Sequence, residues 1–256
     1  SSIPQLTWKK AVFTDNEFDF NGSKLQDTTS VLAMMLISSA RQQFSEKIAT
    51  RKLVLEGIWN RDHIDIGLDF DQEGFDNSFR IKSELDFLED GTMLKIMPSR
   101  IRLLGKPWTI NPENRITIRG TEIDFQQLEL TNDGRSMIIE GRLSEKDYGA
   151  ELRVGLKDLT LDLINSLISE QLDGKLNGEV RIRDPYGNTS FQNNFRIEGF
   201  SVNGFLVGNL EGTNNWDPEQ DAFVISFLVE RMQSRTIDLN GLYVPDDVEN
   251  PLRLTA

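Results

Sequence analysis

The stretch "RITIRGTEIDFQQLELTNDGRSMIIEGRL", Arg115 to Leu143, alternates apolar and polar residues with period two between turn residues. An extended strand sends successive side chains to opposite faces, so this alternation builds a sheet that is apolar on one side. It nominates Ile116, Ile118, Ile123, Phe125, Leu128, Leu130, Met137 and Ile139 for the apolar side, and "FRIEG" adds Phe195 and Ile197. Strict alternation fails at "FQQL", where the extra residue between Phe125 and Leu128 predicts a bulge. Upstream, "LTWKKAVFTD", "EFDFNGSKL", "KLVLEGIW", "HIDIGLDFD", "SFRIKSELDF" and "GTMLKIM" follow one another at hairpin spacing. Strands are not interleaved with helices as βαβ units require. The fold class expected is mainly β, an antiparallel meander.

Two segments carry a different spacing. "TTSVLAMMLISSARQQFSEKIA" places Leu32, Leu36, Ala40, Phe44 and Ile48 at i+4 steps behind possible caps at Thr28 or Thr29, and predicts an amphipathic helix over 29–49. "LTLDLINSLISEQLDG" places Leu161, Ile164, Ile168 and Leu172 on one stripe and predicts a second helix that stops at Gly174. Both would need an apolar sheet face to cover or cap.

A phrase recurs. Gly174-Lys-Leu-Asn-Gly178 leads through "EVRIR" to Asp184-Pro185. After an offset of 34 residues, Gly208-Asn-Leu-Glu-Gly212 leads through "TNNW" to Asp217-Pro218; "LNGLYVPD" from Leu239 is a looser echo. Each strand is expected to end before its proline, which cannot donate to a ladder. The glycines leave room for a sheet to curve.

Composition narrows the function. The 38% of apolar residues suffices for a core, and a net charge of −13 disfavours phosphate backbones and anionic membrane surfaces. With no cysteine, disulfides and thiolate metal sites are excluded. The longest apolar run, Val31 to Ile37, is far short of the ~20 residues that span a bilayer. No signal peptide or anchor is read, and Ser1-Ser2 is taken as a boundary rather than a native start.

Catalytic signatures are not found. His63 is the single histidine, it sits in an alternating strand, and it is expected to face solvent. "DFDQEG", Asp69 to Gly74, mimics the start of a calcium loop, but Arg80 stands where the bidentate Glu belongs. "LGKP", Leu104 to Pro107, lacks the rest of a phosphate loop. Among 41 acidic residues no pair stands out as a glycosidase dyad. The chain is expected not to be an enzyme and to need no cofactor or metal.

The residues carry a resemblance. "RITIRGTEIDFQQLELTNDGRSMIIEGRLS", "DLTLDLINSLISEQLDGKLNGEVRIRDP", "FRIEGFSVNGFLVGNLEGTNNWDP" and "IDLNGLYVPD" resemble the C-terminal region of the TamB family of translocation and assembly module proteins, related to AsmA-like bridge proteins. The matching features are the strand end at Ile139 to Ser144, the segment Asp158 to Leu172, the strand and proline from Leu176 to Pro185, and a Trp and Asn in "GKPWTINPENRITI". The likeness covers residues 90 to 256 and is weak before that. The chain is therefore divided into a β-rich segment over 1–90 and a TamB-like repeat segment over 91–256, one fragment of a longer chain.

The resemblance implies a curved antiparallel sheet, a β-taco or open barrel-like groove built from repeats. The ten residues nominated above would then line its apolar, concave side. It also implies a periplasmic location in an inner-membrane-anchored protein reaching the outer membrane. Its partners would be phospholipid acyl chains and an outer-membrane barrel protein of the TamA assembly type, without nucleic acid. A β-rich carbohydrate-binding or adhesion module, using Trp8, Trp59, Trp108 and Trp216 as stacking residues, is the competing expectation.

Overall fold

A computed structural model describes the chain except residues 25–30, 46, 47, 164, 166–169, 188, 219, 232, 233, 246, 248, 249 and 256. It is mainly β: an antiparallel sheet of 19 strands, which divides into two compact units. The first comprises Ser1–Arg119 with Leu130–Asn132, the second Gly120–Glu129 with Asp133–Ala256.

The first unit contains β1 (Ser2–Trp8), β2 (Ala11–Lys24), β3 (Val31–Gln43), β4 (Ala49–Asn60), β5 (His63–Gln72), β6 (Ser78–Leu88), β7 (Gly91–Ile96), β8 (Arg100–Leu103), β9 (Lys106–Ile110) and β10 (Arg115–Arg119). β1 to β7 pair in sequence order, β6 also pairs with β8, β8 with β9, and β7 with β10. The opening segment "LTWKKAVFTD" is two strands rather than one. Trp8 pairs with Ala11 and Lys9 takes the left-handed conformation at φ 54°. Asn114, fully buried in the turn before β10, acts as a side-chain strand partner: its amide donates to Ile96 O at 2.7 Å and its carbonyl accepts from Ile96 N at 2.8 Å.

β11 (Glu122–Asn132) pairs its last residues with β9 through Leu130↔Ile110. The second unit continues with β12 (Arg135–Leu143), β13 (Glu151–Thr160), β14 (Leu172–Arg183), β15 (Ser190–Val202), β16 (Phe205–Asp217), β17 (Ala222–Arg231), β18 (Ser234–Tyr243) and β19 (Leu252–Thr255). From β12 onward each strand pairs antiparallel with the next. β14, β16 and β18 stop shortly before Pro185, Pro218 and Pro245. The bulge read from "FQQL" coincides with Gln127 at φ 52°; Ile123 and Phe125 are half-buried and Leu128 is buried.

Neither predicted amphipathic helix is present among the described residues. The described part of 29–49 holds strand β3 and the first residue of β4, with Leu36 paired to Asp19 on one side and Glu56 on the other. A step of four is a multiple of two, so an i+4 stripe lies on one face of a strand as well as on one face of a helix, and "VLAMMLI" has no polar alternation to separate the two. Leu32, Leu36 and Phe44 are exposed, Ala40 lies in β3, and Ile48 is half-buried; the caps at Thr28 and Thr29 lie outside the described residues. In the second segment β13 runs to Thr160, a single 3-10 turn covers Leu161–Leu163, and Leu172 already pairs with Val202 in β14. Ile164 and Ile168 lie outside the described residues. Gly174 does not end a helix; it lies inside β14.

Candidate apolar binding surface

In the first unit, cross-strand partners assemble one apolar side. One row runs Phe18, Ile37, Leu55, Leu68, Ile81; a second runs Ala33, Trp59, Ile64, Leu85, Leu94, Ile116. Phe70 stacks on Phe79 at 4.5 Å beside Ile101 and the buried Trp108. Large apolar side chains on this side stay open to solvent, among them Phe20 at 71% and Met35, Trp59, Phe87 and Ile118 near 40%.

The opposite side of the same strands is polar on β5 and β6, while on β3 and β4 it also carries the exposed Leu32, Met34, Leu36 and Ile58. His63 is held between two carboxylates, with Nδ1 2.6 Å from Asp86 and Nε2 3.3 Å from Asp65, and the protonated ring donates to both. The hydrogen bond to Asp86 is the main reason its pKa is raised; desolvation opposes it, and Asp65 adds to the rise. The solvent-facing histidine expected from alternation is thus partnered, because β6 brings Asp86 opposite it in register. Asp69 and Asp71, read as a calcium-loop mimic, instead meet Arg80 across β5 and β6, at 3.4 and 2.7 Å. Burial pushes the Asp71 carboxyl up, but Arg80 and Lys52 outweigh it and hold it below its ordinary value. No cluster of three or more metal-ligating side chains occurs among the described residues, and none of their helices is long and apolar enough to cross a membrane.

In the second unit the register is longer. One row crosses seven strands as Met137, Leu156, Gly178, Phe195, Gly212, Phe227 and Leu239. Beside it run Ile139, Val154, Val180, Asn193, Asn214, Ile225 and, on the other flank, Leu159, Leu176, Ile197, Leu210, Val229. Ile197, Ile225 and Val229 are buried. Glycine lets the rings of this side close up. Strands two apart lie about 9.5 Å from each other, yet the rings of Phe195 and Phe227 approach to 5.8 Å across Gly212. A Cβ at Gly212 would lie 2.5 Å from Phe195 Cζ and 2.6 Å from Phe227 Cδ1. The space left by the missing side chain is filled by its two neighbours.

The reverse side of this unit is a charge ladder. Arg153 bridges Glu140 and Glu179, Arg181 meets Glu179 at 2.5 Å, Arg183 meets Glu151 at 2.5 Å, and Arg196 meets Glu211 at 2.5 Å. A hollow of about 550 Å³ opens here, where Asn177, Asn194, Arg196 and Glu211 stand beside Phe195 and Leu228, so its lining mixes charge with apolar surface.

Of the nominated residues, Ile116, Ile118 and Leu130 lie in the register of the first unit, and Met137, Ile139, Phe195 and Ile197 in that of the second. The apolar rows on β2 to β6 were missed, because the helix expected at 29–49 removed β3 from the sheet. The alternation Phe18, Phe20 and Leu55, Gly57, Trp59 was the available signal. The four tryptophans do not form a common stacking row: Trp108 is buried, Trp216 packs on Phe223 at 4.8 Å, and Trp8 and Trp59 are exposed. No protein-family model, no curated protein and no solved structure matches the chain.

Proposed function

We propose that this chain is a lipid-conduit segment, in which the apolar side of a curved sheet of repeated strand pairs forms a groove for acyl chains. The observation that carries the reading is the sorting of the two sides of the second unit. Unbroken apolar rows cross up to seven strands, with charge ladders behind them. No helix covers the apolar rows among the described residues, and large side chains such as Phe20, Met35 and Ile118 are open to solvent. Each acyl methylene buried on such a surface contributes about 0.8 kcal/mol and needs no aligned acid or base. In this reading the chain belongs to a TamB-like, periplasm-spanning protein anchored in the inner membrane. It passes phospholipid towards the outer membrane and supports outer-membrane protein assembly with a TamA-type barrel partner.

The test is photo-crosslinking in cells. A crosslinking residue at Met35 or Ile118 is expected to yield lipid adducts, and one at Glu84 on the polar side is not. Equal adduct yields at the three positions, or none, would remove the reading. In a glycan-binding module the exposed Trp8 and Trp59 would do the stacking. A glycan-array signal abolished by Trp8→Ala with Trp59→Ala, from protein carrying no lipid, would replace the conduit with that alternative.

A further inference from the structure

Strand β3 is apolar on both of its faces. Ala33, Met35 and Ile37 belong to the side proposed for acyl chains, whereas Leu32, Met34 and Leu36 project from the reverse, where Ile58 on β4 is the cross-strand partner of Met34. Such a strand is the kind found in sheets covered on both sides. On the reverse it is bare among the described residues: Leu32, Met34, Leu36 and Ile58 are 41–52% exposed. Single exposed apolar residues are ordinary, but four adjoining ones on an otherwise polar side mark a contact surface.

The borders of this strip define what fits it. On the β2 flank stand Glu17 and Asp19, the latter opposite Leu36; on the other flank stand Glu56, also opposite Leu36, then Asp65 opposite Ile58 and Glu84 opposite Asp65. Glu17, Asp19, Glu56 and Glu84 have no ion-pair partner among the described residues, and Asp65 meets His63 at 3.3 Å. A hollow opens on each flank. One of about 510 Å³ lies beside Leu36, Glu17 and Asp19, and one of about 400 Å³ lies between Ile58, Glu56, Asp65 and Glu84, with Lys82 at its β6 border.

We infer that the strip docks a cationic amphipathic helix of a partner protein. This docking lies on the reverse of the proposed acyl surface and stands without it. β2 and β5 are three strand spacings apart, about 14 Å, and a helix with its side chains is about 10–12 Å across. A helix laid along β3 and β4 therefore runs between the two carboxylate borders. Leu32 to Leu36 spans about 13 Å, roughly two and a half helical turns, which matches apolar anchors at i, i+3, i+4 and i+7. Lysine or arginine stems beside that ridge would lie along the apolar strip and place their charges in the two hollows. A helix keeps its own backbone hydrogen-bonded on an apolar face, which an extended peptide does not. A second copy would set carboxylate against carboxylate, and the same carboxylates repel an anionic lipid surface.

The experiment uses two labelled synthetic helices with one leucine ridge, at i, i+3, i+4 and i+7, flanked by lysines in the first and by glutamates in the second. Titrated with the whole chain and followed by fluorescence anisotropy, the lysine helix is expected to bind at least about tenfold more tightly. M34S/I58S should weaken its binding about tenfold, and M34S alone serves if the double variant does not fold. Tyr148→Ser, which removes an exposed aromatic from the second unit, should leave it within about twofold. D19N/E56Q should weaken it about fivefold at low salt and much less at high salt. Equal binding of the two helices, or of neither, overturns the docking. So does a loss with Tyr148→Ser, or with Phe20→Ser on the acyl side, as large as that of M34S/I58S, because the helix is then held elsewhere. A dimer that M34S/I58S dissociates, or binding to phosphatidylglycerol vesicles that it abolishes, gives the strip to a second copy or to a membrane and also overturns the helix.

Discussion

The two units build the same two-sided sheet with different side-chain economy. In the second, glycine and phenylalanine alternate across strands: Gly178, Phe195, Gly212, Phe227. In the first, the comparable row of Phe20, Met35, Gly57 and Ile66 has a glycine whose missing side chain is not filled by neighbouring rings. A Cβ at Gly57 would meet Met35 Cε at 3.6 Å, an ordinary contact, where one at Gly212 would collide with two aromatic rings. Phe20 is accordingly 71% exposed, while Phe195 and Phe227 are half-buried. The lesson is that a single-layer sheet buries apolar side chains where large residues lean over small ones, and leaves them open where they do not.

This contrast is broken most directly by truncation. Ile225→Ala should cost about 3 kcal/mol by urea unfolding, as for a buried core residue, while Met35→Ala should cost under about 1 kcal/mol. Comparable losses at the two sites would mean that the units are equally packed. Next in size are the glycines. Gly212→Val should destabilise by about 1–3 kcal/mol by overpacking the Phe195–Phe227 contact, and Gly57→Ala should stay within about 0.5 kcal/mol of the parent. A tolerated Gly212→Val would end the argument that this glycine is where the rings meet.

The polar sides should matter less. Glu179→Gln loosens both Arg153 and Arg181, and because these arginines are 41% and 45% exposed the expected loss is under about 1 kcal/mol, shrinking further at high salt. A salt-independent loss would point to a packing role instead. The smallest effect is at His63. Its pKa is raised in the folded state by Asp86 and Asp65, so its contribution is fully present below its unfolded pKa of about 6.5 and is lost as pH rises through the folded value. With His63 and Asp86 33% and 38% exposed, solvent screening keeps that contribution under about 1 kcal/mol. Melting curves across pH 6 to 8.5 should show a small decline for the parent and a flatter profile for Asp86→Asn. An unchanged slope in that variant would detach the titration from this pair.

Period-two alternation was enough to read an antiparallel mainly β chain and the strand ends before Pro185, Pro218 and Pro245, because strand geometry and proline chemistry are local. It also placed Ile116, Met137, Ile139, Phe195 and Ile197 among apolar residues that turn out to share registers with apolar partners. What it left undecided was "VLAMMLI": an i+4 stripe is commensurate with both a helix and a strand, and only the pairing of β3 between β2 and β4 settles it. The same holds for the partners. No local rule sets His63 opposite Asp86, Asn193 opposite Asn214, or Gly212 between Phe195 and Phe227. These depend on the sum of every hairpin and bulge between them, and a one-residue slip anywhere would send each side chain to the other face.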